Sequence, residues 1–168
     1  MLRVPPELED EFPGSSALAT ECFLNIGMLA GGVRAAVQQL IQAHGLPSMA
    51  AFNVLTVLEG ARAPLPPSAI AERMMVSRPT TTGLLDSLER RRLVKRVSHK
   101  GDGRMRLVTV TPAGAKVARA IMPELHQFER QLMTVLPEPE LRRLLASVAA
   151  LQHHLPTLMP NAALQISD

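Results

Sequence analysis

Residues 99–106 read HKGDGRMR, which sets Lys100, Arg104 and Arg106 around one carboxylate, Asp102, held between Gly101 and Gly103. Cationic groups on a loop jointed by two glycines suit a polyanion: lysine meets a phosphate as a point charge, and arginine presents a planar fork of donors. Further upstream, SRPTTTGLLD supplies Ser77, Arg78, Thr80, Thr82 and Gly83, which are hydroxyl, guanidinium and bare backbone groups with no bulky apolar side chain among them. A surface built this way can approach another closely and offer it hydrogen bonds.

The charge of the chain supports that reading. Its total, +3 over 168 residues, is unevenly placed. Between residues 73 and 106, Arg73, Arg78, Arg90, Arg91, Arg92, Lys95, Arg96, Lys100, Arg104 and Arg106 face only Asp86, Glu89 and Asp102, a net of +7, and the remainder carries −4. A middle segment opposite in sign to its flanks implies a polyanion partner for that segment alone. A solvated charged face is the plainer alternative, and charge by itself leaves it open.

Other functions find little support. His153 and His154 are adjacent and fall on different helical faces, while His44, His99 and His126 lie far apart, so no histidine pair has the i, i+4 spacing of a metal site. There is no nucleophile motif or phosphate loop, so neither an enzyme nor a cofactor or metal is expected. The lone Cys22 excludes an intramolecular disulfide framework, and the opening MLRVPPELEDEF is acidic where a signal peptide would be basic and then apolar. With no run of about 18 apolar residues for a membrane span, the expectation is a soluble, cytoplasmic protein without a membrane partner. A hydrophobic content of 46% is ample for a core.

The elements that must position these groups are mostly helical. Residues 1–13 mix Pro5, Pro6 and Pro13 with Glu7, Glu9, Asp10 and Glu11, and are expected to form a disordered acidic lead. Over residues 16–43, Cys22, Ile26, Leu29, Val33, Val37 and Leu40 recur at threes and fours, a long amphipathic helix stopped by Gly45. Ser48 caps a second helix over 49–59 that places Phe52, Leu55 and Leu58 on one face. Pro64, Pro66 and Pro67 break the pattern before a short third helix over 68–75. Val76, Ser77 and Pro79 then mark a turn and restart, because first-turn amides lack intrahelical partners and tolerate proline.

The helix that follows points Thr81, Leu84, Leu85 and Leu88 inward and turns Arg78, Pro79, Thr82, Gly83 and Asp86 outward. VKRVS and RMRLVTV form a β-hairpin about the glycine-jointed turn. Thr111 and Pro112 start another helix, expected to be interrupted at Pro123 and to carry Leu125, Phe128, Leu132 and Val135 onward. A last helix over 139–155 holds Leu141, Leu144, Leu145, Val148 and Leu151, and residues 156–168 give no clear element.

Helix, turn, helix and basic hairpin together suit double-stranded DNA. A helix about 10 to 12 Å across fits the major groove, where Arg78 and Thr82 would meet base edges and Thr80 a phosphate. Arg104 is long enough to enter a narrow minor groove, with Lys100 and Arg106 on phosphates.

The stretch AIAERMMVSRPTTTGLLDSLERRRLVKR followed by DGRMRLVTVTPAG resembles the winged helix-turn-helix of the multiple antibiotic resistance regulators, the MarR family. The similarity is specific over about residues 70–114 and rests on the wing pattern Asp102, Gly103, Arg104, Val110, Thr111 and Gly114, in which Val110 replaces the usual leucine. It implies a mainly α fold: a winged helix-turn-helix with a two-stranded wing, flanked by N- and C-terminal dimerisation helices. It also implies a homodimer through the first helix and the last two, with Asp102 orienting a wing arginine. The chain departs from the pattern at Arg92, where the family usually has a glycine cap, and at Gly83, where it often has a long polar residue.

The expected organisation is therefore a lead over 1–13, a helical dimerisation region over 14–45 and 112–168, and a DNA-binding region over 46–111. The expected function is a transcription regulator, a repressor released from a pseudo-palindromic operator by a small aromatic or phenolic ligand in a cleft near Met28, Gly31, Met49 and Met74. Two alternatives remain. Cys22 occupies the region of the sensing thiol in the family's peroxide-responsive branch, although the chain has no tyrosine and a packed structural cysteine is the expected role. A winged helix can also serve as a protein-interaction module without binding DNA.

Overall fold

The computed structural model describes residues 1–61, 63–74, 77–98 and 106–158, and of Arg78 the backbone alone. The chain divides into two compact units, Met1–Met49 and a second beginning at Ala50.

The first unit holds α1 (Leu8–Glu11) and the long α2 (Ala17–Ala43). Ser16, in an extended conformation, caps α2 by accepting the Ala19 N–H at 3.3 Å. Gly45 ends the helix in the left-handed region (φ 77°), so that its own N–H reaches the Gln42 carbonyl and the Leu46 N–H reaches that of Ile41. Residues 1–13, expected to lack structure, instead carry α1 and are fastened to α2. Asn25 accepts from the Leu2 N–H and donates to the Leu2 carbonyl, both at 2.9 Å, while Glu21 takes the Val4 N–H and the Arg3 guanidinium. A side-chain amide can pair with an extended strand as another peptide would, and composition alone does not register that. On α2, Val37 and Ile41 are buried, whereas Phe23, Ile26, Met28 and Leu29 are exposed.

The second unit continues with α3 (Met49–Gly60), α4 (Pro67–Met74), α5 (Arg78–Arg90), β1 (Val94–Ser98), β2 (Arg106–Val110), α6 (Pro112–Met133) and α7 (Glu138–Leu158). Its buried side chains are drawn from six elements: Phe52, Val54, Leu55 and Leu58 of α3, Ile70 of α4, Leu85 and Leu88 of α5, Val94 of β1, Val108 of β2, and Ile121 and Leu125 of α6. The strands pair antiparallel from Val94 opposite Val110 to Ser98 opposite Arg106. Leu65 adds a bridge to Val108, with both backbone hydrogen bonds made at 2.9 and 2.7 Å. Flanking prolines conceal that residue from a strand pattern, yet Leu65 keeps the N–H that its neighbours lack.

Two helix limits differ from expectation. α6 runs unbroken through Pro123 and α7 through Pro156 to Leu158. A proline inside a helix costs about 3 kcal/mol. In α6 the burial of Ile121 and Leu125 on either side offsets this cost. α7 has no buried residue.

Candidate nucleic-acid interface

The start of α5 is built as the sequence implies. Ser77 Oγ accepts the Thr80 N–H at 3.3 Å and lies 2.7 Å from the Thr80 hydroxyl, and Thr81, only 1% exposed, sends its hydroxyl to the Ser77 carbonyl at 3.1 Å. Leu85 and Leu88 anchor the inner face. Ser77, Pro79, Thr80, Thr82 and Gly83 are exposed in the first two turns, and nothing lies within 4 Å of where a Gly83 side chain would begin. This is a helix end presented to solvent with a short, polar surface. Thr80 serves the cap, so any phosphate contact it makes would share a hydroxyl already engaged there.

The other end of α5 closes by the motif that ends α2, with an arginine in place of glycine. Arg92 adopts φ 60°, its N–H donates to the Glu89 carbonyl at 2.8 Å, and the Leu93 N–H reaches the Leu88 carbonyl at 3.0 Å. The helix thus keeps the left-handed cap despite lacking the glycine that usually provides it. Immediately beyond, Thr111 Oγ1 donates to the Arg92 carbonyl at 2.8 Å, and its N–H donates to that of Leu93 at 3.0 Å. Thr111 also caps α6 by accepting the Gly114 N–H at 3.1 Å. A Cβ on Gly114 would stand 2.1 Å from the Leu93 carbonyl oxygen, so this glycine permits close approach of α6 to the root of the hairpin.

Arg96 in β1 is a residue that the sequence reading counted only as charge. Its Nη2 holds Asp86 Oδ1 at 2.6 Å, its Nη1 holds Glu89 Oε2, and its backbone N–H donates to Glu89 Oε1 at 3.1 Å. The Asp86 hydrogen bond foremost, and then Glu89, raise the guanidinium pKa above its ordinary value against the opposing effect of burial. A signal existed in the sequence: the two acids of α5 stand at i, i+3, on one face of a helix otherwise surrounded by cations.

Of the expected wing residues, Lys100, Asp102 and Arg104 lie outside the described residues, as does the Arg78 side chain. Arg106 is exposed at the start of β2, the end of the ladder away from the hairpin root, and donates to Ser98 Oγ at 3.0 Å. Cys22, expected to be packed, is exposed on α2, because the helix turns more of its apolar stripe outward than periodicity alone indicates. A cavity of about 440 Å³ lies along α2, lined by Ile26, Leu29, Val33, Val37 and Met49 with Arg34 and Gln38 as its polar members. Met28, Gly31 and Met74 are not among its lining residues.

A capped helix following a short helix, joined to an antiparallel hairpin and backed by further helices, defines a winged helix-turn-helix protein. Residues 44–105 match the family model described as MarR family. The chain is 28% identical over 106 residues to the HTH-type transcriptional regulator PecS of Dickeya dadantii, across 62% of this chain and 64% of PecS. It is 37% identical over 92 residues to YfiV of Bacillus subtilis, also an HTH-type transcriptional regulator by name, across 54% of this chain and 57% of YfiV. It therefore matches less than two thirds of the length of either relative. The DNA complex of MepR from S. aureus shares the fold, with a TM-score of 0.68 at 22% identity over 79% of this chain and 96% of that one.

Proposed function

We propose that this protein is a dimeric, DNA-binding transcription regulator of the cytoplasm, a repressor that a small aromatic or phenolic ligand releases from a pseudo-palindromic operator. The observation that carries the reading is the exposed, capped start of α5 beside a hairpin in the most basic segment of the chain. α5 would enter the major groove with Arg78 and Thr82 toward base edges, and the wing would follow the backbone with Lys100 and Arg106 while Arg104 reaches the minor groove. MepR, which shares the fold, has been crystallised on DNA.

Two further features support the finer parts. Leu144, Leu145, Val148, Leu151 and Leu158 on α7, and Leu18, Phe23, Ile26 and Leu29 on α2, leave apolar surface exposed that a second copy would cover. Two copies related by a two-fold axis would address half-sites about 34 to 36 Å apart. The cavity on α2 joins an apolar lining to Arg34 and Gln38, a combination suited to an aromatic ring bearing a carboxylate or hydroxyl.

The test begins with selection of duplexes from a randomised library. Enrichment of a sequence with two-fold symmetry, bound with a strong salt dependence, is the expected result. Failure to enrich any duplex above the starting pool would overturn it in favour of a protein-interaction module. Thermal melting with benzoate, phenol and their substituted relatives then tests the ligand arm, since a molecule that binds the folded state raises its stability by mass action.

A further inference from the structure

α5 and the wing must meet one duplex together, so the angle and rotation between them matter as much as the groups they carry. The backbone connection is short: α5 ends at Arg90, Arg92 takes the left-handed turn, and β1 begins at Val94. A turn of this kind sets the direction of the strand but leaves rotation of the helix about its own axis to side-chain contacts. Arg96 supplies such contacts, because its fork engages Asp86 and Glu89 on successive turns while its backbone N–H engages Glu89 again. Holding two points a turn apart fixes rotation, which a single point would not.

The same arrangement has an electrostatic side. Asp86 and Glu89 are the acidic residues of α5, and left unpaired they would repel the phosphates that the surrounding cations attract. Arg96 offsets them, and in doing so turns both arms of its fork, Nη1 and Nη2, to protein carboxylates. It is thus not disposed as the phosphate contact that its place in a basic segment suggests. The three side chains are 30%, 45% and 38% exposed for Arg96, Asp86 and Glu89, so water screens the pairs and their effect on global stability is modest.

We propose that Arg96 is a positioning residue for DNA binding, which sets the rotation of α5 against the wing through Asp86 and Glu89 and does not itself touch the duplex. The inference rests on the DNA-binding reading above and adds the device that aligns its two arms.

The test compares Arg96→Gln with the pair Asp86→Asn, Glu89→Gln, which breaks the same contacts from the helix side while making the surface more positive. Each is measured on a duplex selected by the unaltered protein and on a scrambled duplex of equal composition. Both variants should lose about tenfold or more in affinity for the selected duplex. On scrambled DNA, Arg96→Gln should keep its salt slope, and the paired variant should bind as well or better. Arg96→Lys should recover part of the loss, because one ammonium can hold one carboxylate. In the free protein, amide exchange at residue 96 and the last turn of α5 should quicken while α3 stays protected, which separates misalignment from unfolding.

Equal losses on both duplexes with a salt slope lower by about one would make Arg96 a direct phosphate contact and overturn the inference. Tighter binding of the selected duplex by the paired variant would also overturn it, by reducing the acids to simple repulsion. Failure of the unaltered protein to select any duplex would appear before a variant is made, and it would overturn the underlying reading and this inference together.

Discussion

Gly114 and Gly83 show one residue type under opposite constraints. The carbonyl of Leu93 occupies the place of a Gly114 side chain, at 2.1 Å, so Gly114→Ala should destabilise the protein by about 2 kcal/mol or more as α6 is forced off the hairpin root. Gly83 faces open space in mid-helix, and Gly83→Ala should stabilise by about 1 kcal/mol. Urea denaturation at constant slope would measure both. If Gly83→Ala also weakened DNA binding, closeness of approach would be the reason for the glycine, since the methyl group meets nothing in the free protein. Arg92 is the converse case, a side chain held at φ 60° where glycine is freer. Arg92→Gly should therefore raise stability by up to about 1 kcal/mol, read as a higher urea midpoint.

Within the wing, charge and position can be separated. Arg104→Ala should weaken operator binding by about 1 to 3 kcal/mol, whereas Lys100→Ala should mainly reduce the salt slope by about one. Fluorescence anisotropy over a range of salt concentrations distinguishes them, and unchanged operator affinity in Arg104→Ala would remove the wing from the interface. At this scale the sequence was most informative where a rule is local. Ser77 and Thr111 each cap the helix that their position implies, and the antiparallel hairpin forms from the two β-branched runs. It was least informative where a contact joins distant residues. Leu65 joins Val108, Arg96 joins Asp86 and Glu89, and Asn25 joins Leu2, each through hydrogen-bonding capacity that periodicity does not encode. Proline misled at Pro123, where the local penalty is outweighed by the buried turns around it; α7 also continues through Pro156, with no buried residue to offset it.

For the molecule as a whole, the decisive feature is α7, a helix of 21 residues with none buried. Most helical stability in proteins comes from packing of an apolar face, and the proposed dimer would supply that packing for α7. Leu145→Glu with Leu151→Glu should convert a dimer into a monomer by sedimentation and weaken binding to a two-half-site duplex far more than to a single half-site. A dimer unchanged by both substitutions would place the subunit contact elsewhere. In the proposed dimer, an exposed helix of this kind would also tie turnover to abundance. If each copy shelters the last helix of the other, newly made protein is most open to proteases when copies are scarce and least when they are plentiful, so its lifetime would lengthen as its own level rises.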